Sequence, residues 1–149
     1  MNKIYLNSLK LKTFTEQDAL DYCLLNNINP DKIIIFELYN NELINISGIK
    51  LFKNLERLIL YSNELTDISV LKYLKKLKSI DLRSTNIKDI SVIQYLKKLE
   101  ILNINFLELE SAQIKYINSL NNLKELICGY KAFKDRSVLN NINKNIKYY

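Results

Sequence analysis

The sequence predicts an α/β solenoid, a stack of short parallel strands backed by helical turns, and three observations carry that prediction. Apolar positions recur with a fixed period of 22 residues, from Ile33 to Leu55, Leu77 and Leu99. Each period holds one segment alternating with period two and another with apolar residues three apart, a strand followed by helical turns. Such a unit has an inward side it cannot bury alone, so copies must stack. The composition agrees. The 149 residues are 48% hydrophobic and 26% charged, the balance of a folded domain with one core. Only two glycines and one proline are present, so Asn, Asp and Ser must make the turns.

The elements follow in chain order. Residues 1–32 read as a diverged, cap-like first unit, with Leu6, Leu9 and Leu11 expected at strand positions. Thr15-Glu16-Gln17-Asp18 resembles a capping box and predicts a helix to about Asn27, with Ala19, Leu20, Cys23 and Leu24 inward. Asn29-Pro30-Asp31 should turn the chain into the repeats, which occupy 33–122. The first repeat places Ile33, Phe36, Leu38, Leu43, Ile46, Ile49 and Phe52 in register with Leu55, Leu58, Leu60, Leu65, Ile68, Leu71 and Leu74 of the second. The third repeats the pattern from Leu77 to Leu96. The unit beginning at Leu99 runs 24 residues, and Ser111 is expected to cap a helix reaching Leu120. Residues 123–149 form the last repeat and C-terminal cap. Leu126, Cys128 and Phe133 keep the pattern, a closing helix spans Asp135 to Asn141, and Ile142 and Ile146 belong to a weak final strand. One domain, 1–149, is expected, without a linker.

Leu55-x-x-Leu58-x-Leu60-x-x-Asn63-x-Leu65 resembles the leucine-rich-repeat signature, as does Ile33-x-x-Phe36-x-Leu38-x-x-Asn41-x-Leu43. The tails Asp67-Ile68-Ser69-Val70-Leu71-x-x-Leu74 and Asp89-Ile90-Ser91-Val92-Ile93-x-x-Leu96 resemble the 22-residue subclass of bacterial internalins and of phosphatase-regulatory-subunit-type repeats. The resemblance covers roughly residues 33–140. It implies a right-handed solenoid, with a parallel β-sheet on the concave face and short helices or 3-10 turns on the convex face. It also implies binding rather than catalysis. The asparagine of the signature, whose amide satisfies backbone groups at the bend after the strand, is kept at Asn41 and Asn63. It is replaced by Thr85, with Asn86 beside it, and then by Leu107.

Strand alternation assigns the surfaces. If Leu58 and Leu60 enter the core, then Arg57, Ile59 and Tyr61 leave the sheet on its concave side. Stacking at about 4.8 Å then lines up equivalent residues. One column runs Lys12, Tyr39, Tyr61, Arg83, Asn105, Gly129; the next Lys10, Glu37, Ile59, Asp81, Asn103, Ile127; the third Ser8, Ile35, Arg57, Ser79, Ile101, Glu125. Asn40, Ser62, Ser84, Phe106 and Tyr130 stand at the strand ends. The candidate partner-binding set is therefore Tyr39, Tyr61, Arg83, Arg57, Ile59, Glu37, Asp81, Ile101, Asn103, Asn105 and Phe106. Tyrosine and arginine among aliphatic residues are the types that dominate binding hot spots. Alternatively, Tyr39, Tyr61 and Arg83 simply stack along the ladder, a contribution of about 0.5–1 kcal/mol per contact.

Charge is ordered as well. The net charge is +6, and Lys53, Lys75, Lys76, Lys97 and Lys98 gather before the strands. Glu42, Glu64, Asp67, Asp89, Glu108 and Glu110 gather after them. The basic edge Lys75, Lys76, Lys97 and Lys98 either steers an anionic partner or is a solvated repeat edge. Glu56, Lys78, Glu100 and Lys124 share one position with alternating sign, so that column should pair with itself.

Several chemistries are disfavoured. The chain has no histidine, the usual general base and commonest metal ligand. Two cysteines without histidine do not compose an ordinary zinc site. Cys23 and Cys128 are expected on the order of 20 Å apart, beyond disulfide reach, as buried and reduced core residues. Gly48 and Gly129 are isolated, so no glycine-rich phosphate loop is present. Asp67 and Asp89 fit turn and helix-start positions. No cofactor, metal or enzymatic activity is expected. Met1 to Ser8 is too polar for a leader, and no apolar run reaches the roughly 20 residues that span a bilayer, so a cytoplasmic address and no membrane partner are expected. The leading reading is an adaptor or inhibitor, monomeric, that binds an unidentified protein on its concave sheet. A second reading is a nucleic-acid or ribonucleoprotein-associated module using the lysine edge, against which Glu37, Asp81 and Glu125 count. A third is self-association through the weakly capped last repeat.

Overall fold

The computed structural model describes residues 2–129, 131–143 and 146–149. Among these residues seven parallel strands form one open sheet in chain order. They are β1 (Lys3–Tyr5), β2 (Ile35–Glu37), β3 (Arg57–Ile59), β4 (Ser79–Asp81), β5 (Ile101–Asn103), β6 (Glu125–Ile127) and β7 (Lys147–Tyr148). The register repeats without slippage: Phe36 pairs with Leu58, Leu58 with Ile80, Ile80 with Leu102 and Leu102 with Leu126. Alternation explains that fidelity. Leu58, Leu60, Leu82, Leu102 and Ile104 are completely buried, and a one-residue slip would turn every one of them to water.

On the other side of the first three repeats the chain forms 3-10 turns at Ser47–Leu51, Ser69–Tyr73 and Ser91–Tyr95. Their cause is the three-residue apolar spacing. A 3-10 helix has three residues per turn, so Ile68, Leu71, Leu74 and Leu77 can all face inward. The hydrogen bonds follow the same step, from Leu71 N–H to Ile68 C=O, Leu74 to Leu71 and Leu77 to Leu74. Each turn is started by a side chain two residues upstream. Asn45, Asp67 and Asp89 accept the N–H of Ser47, Ser69 and Ser91 at 2.8, 2.7 and 2.8 Å. Asp67 and Asp89 are thus turn-starting residues, as their recurrence suggests.

The bends after β2, β3, β4 and β5 need a left-handed residue, and Asn40, Ser62, Ser84 and Phe106 supply it with φ of 55°, 56°, 54° and 64°. Beneath these bends Asn41 and Asn63 are buried. Asn63 donates to the carbonyls of Leu38 and Leu60, both at 2.8 Å, and accepts from Leu43 N–H, so it joins two coils. Thr85 reaches only Leu82 C=O of its own coil, and Leu107 makes no polar contact through its side chain.

The first coil differs from expectation. Its strand is Lys3–Tyr5, with Ile4 buried opposite Phe36, and Leu9 is 55% exposed. Lys10 and Lys12 therefore leave the concave columns, where Tyr5 stands beside Glu37. The cause is length. This coil carries α1 (Glu16–Leu25) on its convex side in place of a five-residue 3-10 turn, so 32 residues separate Ile4 from Phe36.

The predicted capping box is present: Thr15 Oγ1 accepts from Asp18 N–H, and Asp18 accepts from Thr15 N–H at 2.7 Å. Ala19 and Cys23 are buried, but Leu20 and Leu24 are exposed, contrary to the expected inward face. The helix lies so close to the next coil that only small residues fit between them. Gly48 N–H donates to Phe14 C=O at 2.8 Å, and a Cβ at Gly48 would lie within 2.9 Å of that oxygen and overlap the Thr15 carbonyl. The two following repeats have Val70 and Val92 at this position.

Phe14, Phe36 and Phe52 fill the core beneath, with ring centroids 5.1 Å (Phe14–Phe36) and 5.0 Å (Phe36–Phe52) apart in edge-to-face contact. In the fourth repeat Ser111 opens a 3-10 turn, Ser111–Gln113, instead of capping a helix, and α2 follows at Ile114–Asn118. Near the C-terminus a 3-10 turn at Arg136–Asn141 precedes β7, with Ile142 and Ile146 buried against the core.

Candidate functional site: the concave sheet

The sheet holds the outward residues in three columns whose lower members are fixed by strand pairing. Lys3, Ile35, Arg57, Ser79, Ile101 and Glu125 are consecutive partners; so are Tyr5, Glu37, Ile59, Asp81, Asn103 and Ile127. Above them run Tyr39, Tyr61, Arg83, Asn105 and Gly129, joined by the backbone bonds from Asn40 to Tyr61, Ser62 to Arg83 and Ser84 to Asn105.

The upper column is a continuous stack. The Tyr39 and Tyr61 rings lie 4.5 Å apart at an interplanar angle of 9°. The Arg83 guanidinium covers Tyr61 at 4.2 Å from its centroid. Its Nε lies 3.4 Å from the Asp81 carboxylate, which also accepts Arg83 N–H. Burial pushes the Asp81 carboxyl above its ordinary range, opposed by the Arg83 N–H, the Arg83 and Arg57 charges and the Asn103 amide. Arg83 is held on two sides by its own chain.

Two candidate residues are not exposed as alternation implies. Ile59 is 9% and Asn103 6% exposed. Both occupy the middle column of a curved sheet, where neighbours crowd from every side above a depression of about 270 Å³. Asn103 also shapes the backbone, since its Oδ1 accepts Asn105 N–H at 3.2 Å, the same turn that Asp81 makes with Arg83. Glu37, Tyr39, Tyr61, Asp81, Arg83 and Asn105 are half-buried, while Arg57, Ile101 and Phe106 are exposed. Phe106 is 54% exposed on a left-handed backbone, where the preceding repeats place Asn40, Ser62 and Ser84. Tyr130, expected at the next strand end, lies outside the described residues. Tyr5, 51% exposed, is a concave residue that registering the first coil on Leu9 and Leu11 misses; the spacing Ile4-x-Leu6, matching Phe36-x-Leu38, is the signal for it.

The column below the strands pairs as expected, Lys78 with Glu56 at 2.9 Å and Lys124 with Glu100 at 2.7 Å. At the basic edge Lys75, Lys76, Lys97 and Lys98 are exposed and have no carboxylate partner among the described residues. The acidic edge is partly neutralised, since Lys88 meets Glu108 at 3.9 Å and Lys134 meets Glu110. Cys23 and Cys128 are buried and unbonded, and burial pushes both thiols up, away from reactivity. Among the described residues no group of three or more His, Cys, Asp or Glu is placed to hold a metal ion. No helix among them is long and apolar enough to cross a membrane.

Coils of strand, asparagine-lined bend and 3-10 turn, stacked in register around an aliphatic core, are the architecture of a leucine-rich-repeat solenoid, and this chain has that fold. The family model described as Leucine Rich repeats (2 copies) matches residues 53–95. Among solved structures the chain is similar to an internalin (inlF) from Listeria monocytogenes. That match has 24% identity and a TM-score of 0.76, and covers 98% of this chain and 39% of that one. It is also similar to an internalin C2 from the same organism, at 23% identity and a TM-score of 0.62, covering 66% of this chain and 42% of the other. The chain thus spans about two fifths of the length of these internalins, and what it shares with them is the fold. No curated protein sequence matches it. Leucine-rich repeats commonly serve as protein-interaction modules, because the stacked strands present an extended concave surface.

Proposed function

We propose that this chain is a non-catalytic interaction module, an adaptor or inhibitor, that holds a partner protein against its concave sheet. The observation carrying the reading is the pre-stacked column Tyr39–Tyr61–Arg83, beside exposed Ile101 and Phe106. Aromatic and arginine side chains fixed before binding lose little rotamer entropy when a partner covers them. Phe106 adds a second argument: a large apolar side chain, 54% exposed, stands on a left-handed backbone where the preceding repeats place Asn or Ser. Arg57, Arg83, Glu37 and Asp81 would set orientation through charge complementarity. An intracellular address belongs to the same proposal, supported by two free buried thiols.

The test is affinity purification from the native host with the chain as bait, followed by the same purification with Tyr61→Ala, Arg83→Ala and Phe106→Ser. The expected result is a stoichiometric protein partner whose recovery falls at least about tenfold in each variant, a loss of about 1.4 kcal/mol, while circular dichroism melting shows the fold retained. A partner retained equally by all three variants would place its site elsewhere.

A further inference from the structure

We propose that the convex side carries a second docking site, a tyrosine–lysine groove that takes a short acidic segment of a protein partner. It lies on another face and does not rest on the concave-sheet reading. The 3-10 turns Ser69–Tyr73 and Ser91–Tyr95 run side by side and leave between them a groove of about 500 Å³. Tyr73 and Tyr95 occupy equivalent repeat positions and are 53% and 50% exposed; the repeat before them has Leu51 there, partly buried. Two half-exposed rings one repeat apart thus form an apolar floor that the core does not use.

Ammonium groups frame that floor. Lys72 Nζ lies 5.2 Å from the Tyr73 ring centroid and Lys75 Nζ 5.3 Å from that of Tyr95. Lys76, Lys97 and Lys98 continue the basic strip. None of these five has a carboxylate partner among the described residues, although Lys78 and Lys124 in the adjacent column are both paired. Two ammoniums set against two tyrosines, with three more exposed lysines at neighbouring positions of the same repeats, ask for a ligand rich in anionic acceptors that also brings an apolar side chain.

The surroundings limit its length. Asp67 and Asp89 stand at the starts of the same two turns, so the positive field ends within one turn of the groove. A polynucleotide would run its next phosphates onto those carboxylates. A few glutamates or aspartates flanking one aromatic or aliphatic residue would not. Charge complementarity and extent therefore favour an acidic peptide segment.

The experiment uses the full chain and fluorescence anisotropy with three labelled probes: a glutamate peptide with a central phenylalanine, its glutamine twin, and a short oligouridylate. The acidic peptide is expected to bind at least about tenfold more tightly than the glutamine twin. Tyr73→Ala with Tyr95→Ala, and separately Lys72→Gln with Lys75→Gln, should each weaken it by a similar factor. Their melting temperatures should match the parent's, since all four side chains are exposed. Tyr61→Ala with Arg83→Ala should leave peptide binding unchanged, which separates this site from the concave one. The proposal is overturned by absence of peptide binding, by equal binding in the groove variants, or by tighter binding of oligouridylate through the same residues.

Discussion

At Asn63 one carboxamide, 6% exposed, donates to Leu38 and Leu60 carbonyls and accepts from Leu43, so its removal would leave buried backbone groups of two coils short of partners at once. Leaving such groups unsatisfied costs about 1–3 kcal/mol each, partly recovered by relaxation. Asn63→Ala should therefore destabilise the chain by about 2–4 kcal/mol in urea unfolding. Thr85→Ala, which loses one bond within one coil, should cost about 1 kcal/mol. Equal losses would mean that the asparagine does not join the coils. Both positions are visible in the sequence as signature positions of the repeat. The burial of Ile59 and Asn103 is not, because alternation states which way a side chain points and says nothing of how tightly a curved sheet crowds its middle column.

Elements are legible in the sequence where local chemistry determines them. Thr15 and Asp18 announce the start of α1, and the three-residue spacing of Ile68, Leu71 and Leu74 announces the convex turns. The inward face of α1 is not legible in the same way. Leu20 and Leu24 are the larger apolar residues, whereas distance to the neighbouring coil selects Ala19 and Cys23. That distance is set by Gly48. Gly48→Ala should push the helix off its seat and cost about 2 kcal/mol or more, within the range for overpacking. Leu24→Gln, at a side chain 77% exposed, should change stability by less than about 0.5 kcal/mol. Paired thermal melts decide the matter. A neutral Gly48→Ala would show that the contact between α1 and the Ser47–Leu51 turn is loose.

Across the whole molecule the stabilising devices are distributed unevenly. The aromatic trio Phe14, Phe36 and Phe52, the bridging asparagines Asn41 and Asn63, and helix α1 all sit in the first three coils. Toward the other end the asparagine position holds Leu107, and β7 is a two-residue, exposed edge strand. The repeat period reveals the stack but not this gradient, since the gradient arises from contacts between coils rather than from the pattern within one. Solenoid stability is a sum of unit and neighbour terms, so opening should begin where the neighbour terms are weakest. Native-state hydrogen exchange should release the amides of Cys128 and Ile104, bonded to Tyr149 and Ile127 carbonyls, before those of Leu38 and Leu60, bonded to Ile59 and Asp81. Asn63→Ala should then narrow the difference, because it weakens the protected end specifically. Simultaneous release in the parent chain would mean that the coils open as one unit and that the asparagine bridges carry no directional weight. Fraying from β1 instead would mean that α1 does not seal its end of the stack.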